Sequence, residues 1–288
     1  MKNPEQEIYP YSIELHAHTH PVSPCGNFSA EETVQMYKAR GADALVITNH
    51  FLHTPYGGLS EAEAIDKYLD DLRRARKAGE EMQIKVYMGM EMRFAENSND
   101  YLLYGVTEAD MPFLLDCMRN QNIRDFSRVY RRNDRLLIFA HPMREGIVDV
   151  DFSLFDGIEV FNMHPGHNSR VSLVARRTAE HPELIVTGGS DFHHLGHDGT
   201  CLLRAKTLPA DEKELVRLLR SRDYRLSLWD NITLCVSKEY HFITTEKEIT
   251  FRRTRFVISF CLCRGSPKRR MSFGGSRGRG SPKRKNLR

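Results

Sequence analysis

Six cysteines are spread over 288 residues, at positions 25, 117, 201, 235, 261 and 263, and no two of them form a Cys-x-x-Cys pair. That absence argues against both a thiolate zinc knuckle and a disulfide framework, so the thiols are expected to be reduced. No apolar run approaches the roughly 20 residues needed to cross a bilayer, and the polar stretch 1–12 has no apolar centre of signal-peptide length. The expectation is a cytoplasmic protein that does not enter a membrane. No Gly-x-Gly-x-x-Gly turn follows the first apolar strand, which removes the usual sign of a dinucleotide-binding, doubly wound sheet. Acidic residues are missing from 249 onward, where 13 Lys/Arg stand. The formal charge of +4 therefore hides an acidic body, with 29 Lys/Arg against 38 Asp/Glu over 1–248 (net −9), and a basic end.

From Gly265 the composition narrows to Gly, Ser, Pro, Arg and Lys, and Arg264-Gly265-Ser266-Pro267-Lys268-Arg269 recurs as Arg279-Gly280-Ser281-Pro282-Lys283-Arg284. Such a segment cannot build a core, so 1–248 is read as the folded domain and 249–288 as a disordered basic tail. A tail of this kind would touch nucleic acid loosely, through phosphates, or stand as a solvated end with no partner, the reading slightly preferred.

Short apolar strands alternate with amphipathic helices along the body. Ile13 to His18 opens the series as a buried strand. Ser29-Ala30-Glu31-Glu32 is a capping box that starts a helix terminated at Gly41. Ala44 to Thr48 is a strand ending on Asn49-His50. A second capping box, Ser60-Glu61-Ala62-Glu63, starts a helix that runs to Gly79, and Ile84 to Met88 is a strand delivering Glu91. Further strands are expected at 101–106, 136–140, 157–161, 184–187, 224–228 and 232–236, with helices near 111–119, 125–133, 169–180 and 211–221. This order means parallel strands with helical crossovers, and roughly seven such units favour a closed barrel over an open sheet.

Side chains on a strand repeat with period two, so His16 and His18 face one point. Two neutral imidazoles converging at a strand end suit zinc, manganese or iron, and ordinary core packing does not ask for them. In βα barrels the reactive groups occupy the C-terminal ends of the strands. This chain places His16 and His18, His50, Glu91, His141, His164, and Asp191 with His193 at such ends. Asp191-x-His193 repeats the period-two geometry, and the two oxygens of Glu91 can bridge two metals.

The set His16-x-His18, Thr48-Asn49-His50, Gly89-x-Glu91, Ala140-His141-Pro142 and Ser190-Asp191-x-His193, in this order, resembles the polymerase and histidinol phosphatase (PHP) superfamily over roughly residues 11–228. The resemblance implies a distorted seven-stranded (β/α) barrel with two or three divalent metal ions, usually in a hydrolase of phosphate esters. Carried over by motif, it implies that His16, His18, Glu91 and Asp191 bind one metal, that Glu91 and His141 help hold a second, and that His50 and His193 hold a third. Three positions depart from the family pattern. Asn49 stands where Asp is common, which points to an altered partner of a ligand rather than an altered ligand. Cys25, within Ser23-Pro24-Cys25-Gly26, falls at an acidic or histidine position and becomes a candidate thiolate ligand. The histidine usual after the Glu motif has no counterpart, and Asp100 is the nearest substitute.

Metals so placed would lower the pKa of a bridging water and steady the phosphoryl oxygens, leaving no need for a protein nucleophile. Arg93, on the same strand face as Glu91, and Arg144, just past His141-Pro142, are candidates to grip the phosphate, although each also reads as a solvated surface arginine. His164 is a candidate general acid or further ligand. His20, His53, His194 and His197 are expected at the rim. The expected function is metal-dependent hydrolysis of a small phosphorylated metabolite or nucleotide by a metal-bridging hydroxide. The alternative is an accessory barrel, weakly active or inactive, that the basic tail carries to RNA or DNA; the lack of a basic patch interleaved with aromatics in the body counts against it. A third reading is a metal hydrolase acting on a non-phosphate bond.

Overall fold

The computed structural model describes residues 7–52 and 58–228, and the backbone of two further strands, 232–236 and 260–262. His53 and the remainder of the basic tail lie outside the described residues. Seven strands form the wall of a barrel: β1 (Tyr11–Ala17), β2 (Ala44–Ile47), β4 (Lys85–Arg93), β5 (Tyr101–Tyr104), β6 (Leu136–Phe139), β7 (Gly157–Asn162) and β8 (Ile185–Gly189). They neighbour one another in that order. The ring closes where the backbone just past β8 meets the end of β1: the His18 N–H donates to the Phe192 carbonyl at 3.1 Å, and the Phe192 N–H to the His16 carbonyl at 3.2 Å. The expected distorted seven-stranded barrel is what the chain forms.

The distortion has identifiable causes. β5 runs antiparallel to both β4 and β6, whereas β1, β2 and β4, and β6, β7 and β8, are parallel neighbours. The all-parallel expectation fails here because the link 94–100 is shorter than the dozen or so residues a crossover helix takes. The reversal has a use, since it brings Asp100, just before β5, to the same end of the barrel as Glu91. A short extra strand, β3 (His50–Leu52), pairs parallel with the end of β4 and sets His50 directly opposite Glu91.

Outside the ring, the first half of β1 pairs antiparallel with β9 (Cys201–Ala205), and β10 (Tyr224–Leu228), β11 (Ile232–Val236) and β12 (Phe260–Leu262) continue outward from it. β9 is a strand that the sequence pattern did not signal. β12 falls within the stretch read as tail and adds an edge to the sheet.

The helices begin where the capping boxes place them. Ser29 and Ser60 each accept the backbone N–H of the glutamate three residues on, and that glutamate returns the bond. Gly79, read as a terminator, instead lies inside the helix Glu61–Met82, which ends at Gln83 in the left-handed region. A Cβ at Gly79 would come within 2.8 Å of the Val86 side chain, so this glycine is there for close packing of helix on strand. The four residues of β2, of β5 and of β6 are buried on both faces, as expected of strands covered by helices outside and side chains within. No helix among the described residues is long and apolar enough to cross a membrane.

Candidate metal centre

The strand ends converge on Glu91. Its Oε1 lies 3.1 Å from His141 Nε2 and 3.5 Å from His16 Nε2. Its Oε2 lies 3.3 Å from His18 Nε2 and 2.9 Å from His50 Nδ1. One carboxylate thus presents its two oxygens to two different pairs of imidazoles. Asp191 joins one imidazole of each pair, with Oδ1 3.4 Å from both His16 Nε2 and His18 Nε2. Among the described residues, three groups have donor atoms within 4.8 Å of one another: His16, His18 and Glu91; His18, His50 and His193; and His50, Glu91 and Asp100. His141 and Asp191 hold backbone φ of +30° and +49°, so two candidate ligands occupy a conformation that non-glycine residues rarely adopt.

Whether these residues fit a cation can be read from their hydrogens. His193 Nδ1 donates to the Asp191 carbonyl at 2.8 Å, and His16 Nδ1 donates to Glu159 Oε1 at 2.8 Å. For His18 the assignment runs through a chain of partners. The Thr19 N–H donates to Asn49 Oδ1 at 2.7 Å, which fixes the amide oxygen, and the Ser23 hydroxyl donates to that same oxygen at 2.9 Å. With its one hydrogen committed, Ser23 Oγ accepts from His18 Nδ1 at 3.1 Å and from the His50 N–H at 2.9 Å. Neutral His16, His18 and His193 are therefore left with a bare lone pair on Nε2. The His16 and His18 Nε2 atoms stand 3.0 Å apart with carboxylate oxygens around them, an arrangement that calls for a cation in their midst.

Electrostatics give the same answer. Burial opposes protonation of His16, yet the Glu159, Asp191 and Glu91 carboxylates hold its pKa well above the ordinary imidazole range. Burial, with the neighbouring His193 and His50, holds that of His18 well below it. A proton on His16 is what the site accepts when no metal is supplied. Because His16 binds that proton more tightly than a free imidazole does, metal and proton compete, and apparent affinity should fall as pH is lowered. Adding zinc to metal-free protein in weak buffer is expected to acidify the solution; uptake with no proton release would contradict this.

Beneath the candidate ligands lies a buried layer of acceptors that sequence reasoning missed. Glu159, inside the apolar strand Gly157–Asn162, accepts from His16 Nδ1, from the His141 N–H at 3.1 Å and from Asn162 Nδ2 at 3.0 Å. Glu14 accepts from the backbone N–H groups of Leu15, His16 and Ser190 and from the Tyr37 hydroxyl, and burial raises its pKa to about 7. A carboxylate in the middle of an otherwise apolar strand was the available signal for both. Asn49 makes no contact with the candidate ligands' ring nitrogens or carboxylates: its Nδ2 donates to Thr19 Oγ1 and to Asp71 Oδ2, while its Oδ1 holds Ser23 and, through it, His18. Gly189 permits this closeness, because a Cβ there would collide with the His16 side chain. Glu159→Gln, which weakens the hold on His16, is expected to lower metal affinity by about 10- to 100-fold with the fold intact, measured by metal titration.

The convergent histidines and carboxylates open into a cavity of about 740 Å³ lined by Cys25, Arg93, Arg144, Arg170, His164 and His167 among others. Arg93 holds Asp100 with two bonds of 2.7 Å, and Arg144 lies 3.4 Å from Asp100 Oδ2 and 3.6 Å from Asp191 Oδ2. Asp100 thus lies at the site, close to His141 but tied chiefly to Arg93. His164 stands apart from the cluster, its ring 5.5 Å from that of His193 and its Nδ1 accepting the Gly166 N–H at 3.0 Å. Its neutral ring therefore carries its hydrogen on Nε2, and burial pulls its pKa down to about 3. His194 and His197 line the same cavity, as expected of rim residues. Cys25 lines the cavity beside His50 and His193; burial raises its pKa, but the influence of those two imidazoles outweighs burial and brings it to about 6.

The PHP domain family model matches residues 14–224. The chain belongs to the PHP domain family. Two solved structures share the fold of this PHP domain. One is a two-domain protein from Bacteroides vulgatus containing a predicted PHP-like metal-dependent phosphoesterase, with 16% identity and a TM-score of 0.55 over 76% of this chain and 64% of that one. This chain thus spans about 64% of the length of that neighbour. The other is PsfC from Pseudomonas syringae, with 18% identity and a TM-score of 0.51 over 72% of this chain and 87% of that one. No curated protein matches this PHP domain by sequence.

Proposed function

We propose that this PHP domain is a metal-dependent phosphoesterase that acts in the cytoplasm on a small phosphorylated metabolite or nucleotide, with two or three dications of the zinc, manganese or iron kind. The observation that carries the reading is Glu91, whose two oxygens each face a separate pair of imidazoles at the base of an arginine-lined cavity. His16, His18, Glu91 and Asp191 are assigned to one ion, Glu91 and His141 to a second, and His50 with His193 to a third, with Asp100 at the edge. Ions bound there supply an acidified water as nucleophile and screening of the phosphoryl oxygens.

The chain's own residues do the rest. Arg144, held between Asp100 and Asp191, directs its guanidinium at the seat of the phosphate, and Arg93, braced by Asp100, widens that seat. His164 is neutral at pH 7, so it serves as a hydrogen-bond donor through Nε2 to a phosphoryl or leaving oxygen rather than as a cationic acid. The test is elemental analysis of the purified protein combined with a screen of phosphomonoesters and phosphodiesters. Bound dications with chelator-sensitive phosphate release support the reading; bound metal with no hydrolysis of any ester in the panel overturns it.

The 13 basic residues after position 248 favour a second reading, loose nucleic-acid association through the tail. A chain ending after Arg264 keeps β12 and every assigned ligand and loses nine of those 13 residues. It is expected to hydrolyse a phosphomonoester at the full-length rate while nonspecific nucleic-acid binding weakens and its salt dependence flattens. Loss of hydrolysis with an unchanged circular dichroism spectrum would place the tail in the site.

A further inference from the structure

We propose that Asp71 is a positioning residue of the metal centre: from the helix Glu61–Met82 it supplies, through Asn49 and Ser23, the carboxylate that holds His18 in its ligating tautomer. The inference rests on the metal reading above and gives a part to a residue that belongs to none of the convergent donor groups.

The two members of His16-x-His18 are held in different ways. His16 Nδ1 donates straight to a buried carboxylate, Glu159, at 2.8 Å. His18 Nδ1 meets a hydroxyl instead, Ser23 Oγ at 3.1 Å. A hydroxyl is a dependable acceptor for that imidazole only while its own hydrogen is committed elsewhere, and Asn49 Oδ1 takes this hydrogen at 2.9 Å. The same oxygen accepts the Thr19 N–H at 2.7 Å. The chain of bonds ends on Asp71. Asn49 Nδ2 donates to Asp71 Oδ2 at 3.0 Å and to Thr19 Oγ1 at 2.6 Å, and the Thr19 hydroxyl donates to that same Asp71 oxygen. His18 thus reaches a buried carboxylate through Ser23 and Asn49, where His16 reaches one directly.

Helix packing does not ask for a carboxylate at 71. Asp71 is buried on the face it shares with Tyr68, Leu72 and Ala75, and its Oδ1 has no hydrogen-bond partner among the described residues. A buried carboxylate with one bare oxygen costs stability that an apolar residue would not. Its place also accounts for Asn49, which stands where Asp is common in the family. An aspartate at 49 would set a second carboxylate oxygen where Nδ2 now lies, 3.0 Å from Asp71 Oδ2, and two carboxylates that close do not both ionise. In this chain the negative charge sits at 71, and the amide at 49 passes its effect on, because the members of a hydrogen-bond chain polarise one another. Partners of this kind fix the tautomer of a ligating histidine and make it a better donor.

Exchanging the two residues tests the pair. Full-length wild type, Asp71→Asn, Asn49→Asp and the doubly exchanged Asn49→Asp/Asp71→Asn are stripped with chelator and titrated with zinc. Each single variant is expected to bind zinc about tenfold more weakly, while the exchanged pair, which restores one amide and one carboxylate, lies within about threefold of wild type. Zinc-loaded protein carrying isotopically labelled histidine supplies a second readout by NMR. The Nδ1–H signal of His18 is expected to move upfield in Asp71→Asn, while that of His16, bonded to Glu159, stays in place. This comparison decides the matter even where Asn49→Asp does not fold. Unchanged zinc affinity in Asp71→Asn, an exchanged pair no better than the single variants, or an unmoved His18 signal overturns the positioning role and leaves the phosphoesterase reading standing. Wild-type protein that binds no zinc overturns the metal reading, and the role of Asp71 with it. The expected pattern in protein that hydrolyses no ester upholds the role and removes the proposed activity.

Discussion

His16→Ala and Asp191→Asn are each expected to lower kcat/KM for a phosphate ester by about three orders of magnitude or more, because a bound dication contributes several kcal/mol to the transition state and each 1.36 kcal/mol is a factor of ten. The two residues act from opposite sides of one point. His16 enters from the end of β1 and Asp191 from just beyond β8, and their side chains meet at 3.4 Å. Asparagine is the better replacement at 191, because the backbone there has φ +49°, a conformation asparagine tolerates and alanine does not. Neither change removes apolar packing, so circular dichroism should show the native fold in both variants. Full activity in either would show that the ion at this point takes no part in turnover.

Chelation should have the second-largest effect, and on stability. An ion held at 100 to 1,000 times its dissociation constant stabilises the folded state by about 3–4 kcal/mol, and for a chain of this size that shifts Tm by about 5–15 °C. The cause lies in the charges: the Glu91 and Asp191 carboxyls are buried, burial opposes their ionisation, and the surrounding histidines nevertheless hold both well below the usual carboxylate range. Without a cation that cluster must borrow protons. Differential scanning fluorimetry with and without chelator measures the shift, and His16→Ala should show a smaller one. Equal Tm values with and without chelator in the wild type would contradict the argument.

The candidate ligands were legible because period-two spacing and strand-end position are properties of a few adjacent residues. His16 with His18 and Asp191 with His193 could be paired from local sequence alone, and the capping boxes at Ser29 and Ser60 marked their helices for the same reason. What escaped was non-local. Glu159 orients His16 across 143 residues of chain, and Ser23 becomes legible only once Asn49 is seen to accept from it. The reversal of β5 depended on the length of one link, which a search for alternating strands and helices passes over. β9 alternates buried and half-buried residues over only five positions, too short a pattern to stand out just after the glycine-containing turn at 196–199.

The central claim is that the histidines and carboxylates around Glu91 are a metal centre, and metal content per chain tests it most directly. Wild-type protein reloaded with zinc and freed of excess by gel filtration should retain two or three equivalents by elemental analysis, and Asp191→Asn at least one fewer. A wild-type chain that retains none, or an Asp191→Asn chain that retains as many as the wild type, would contradict the account.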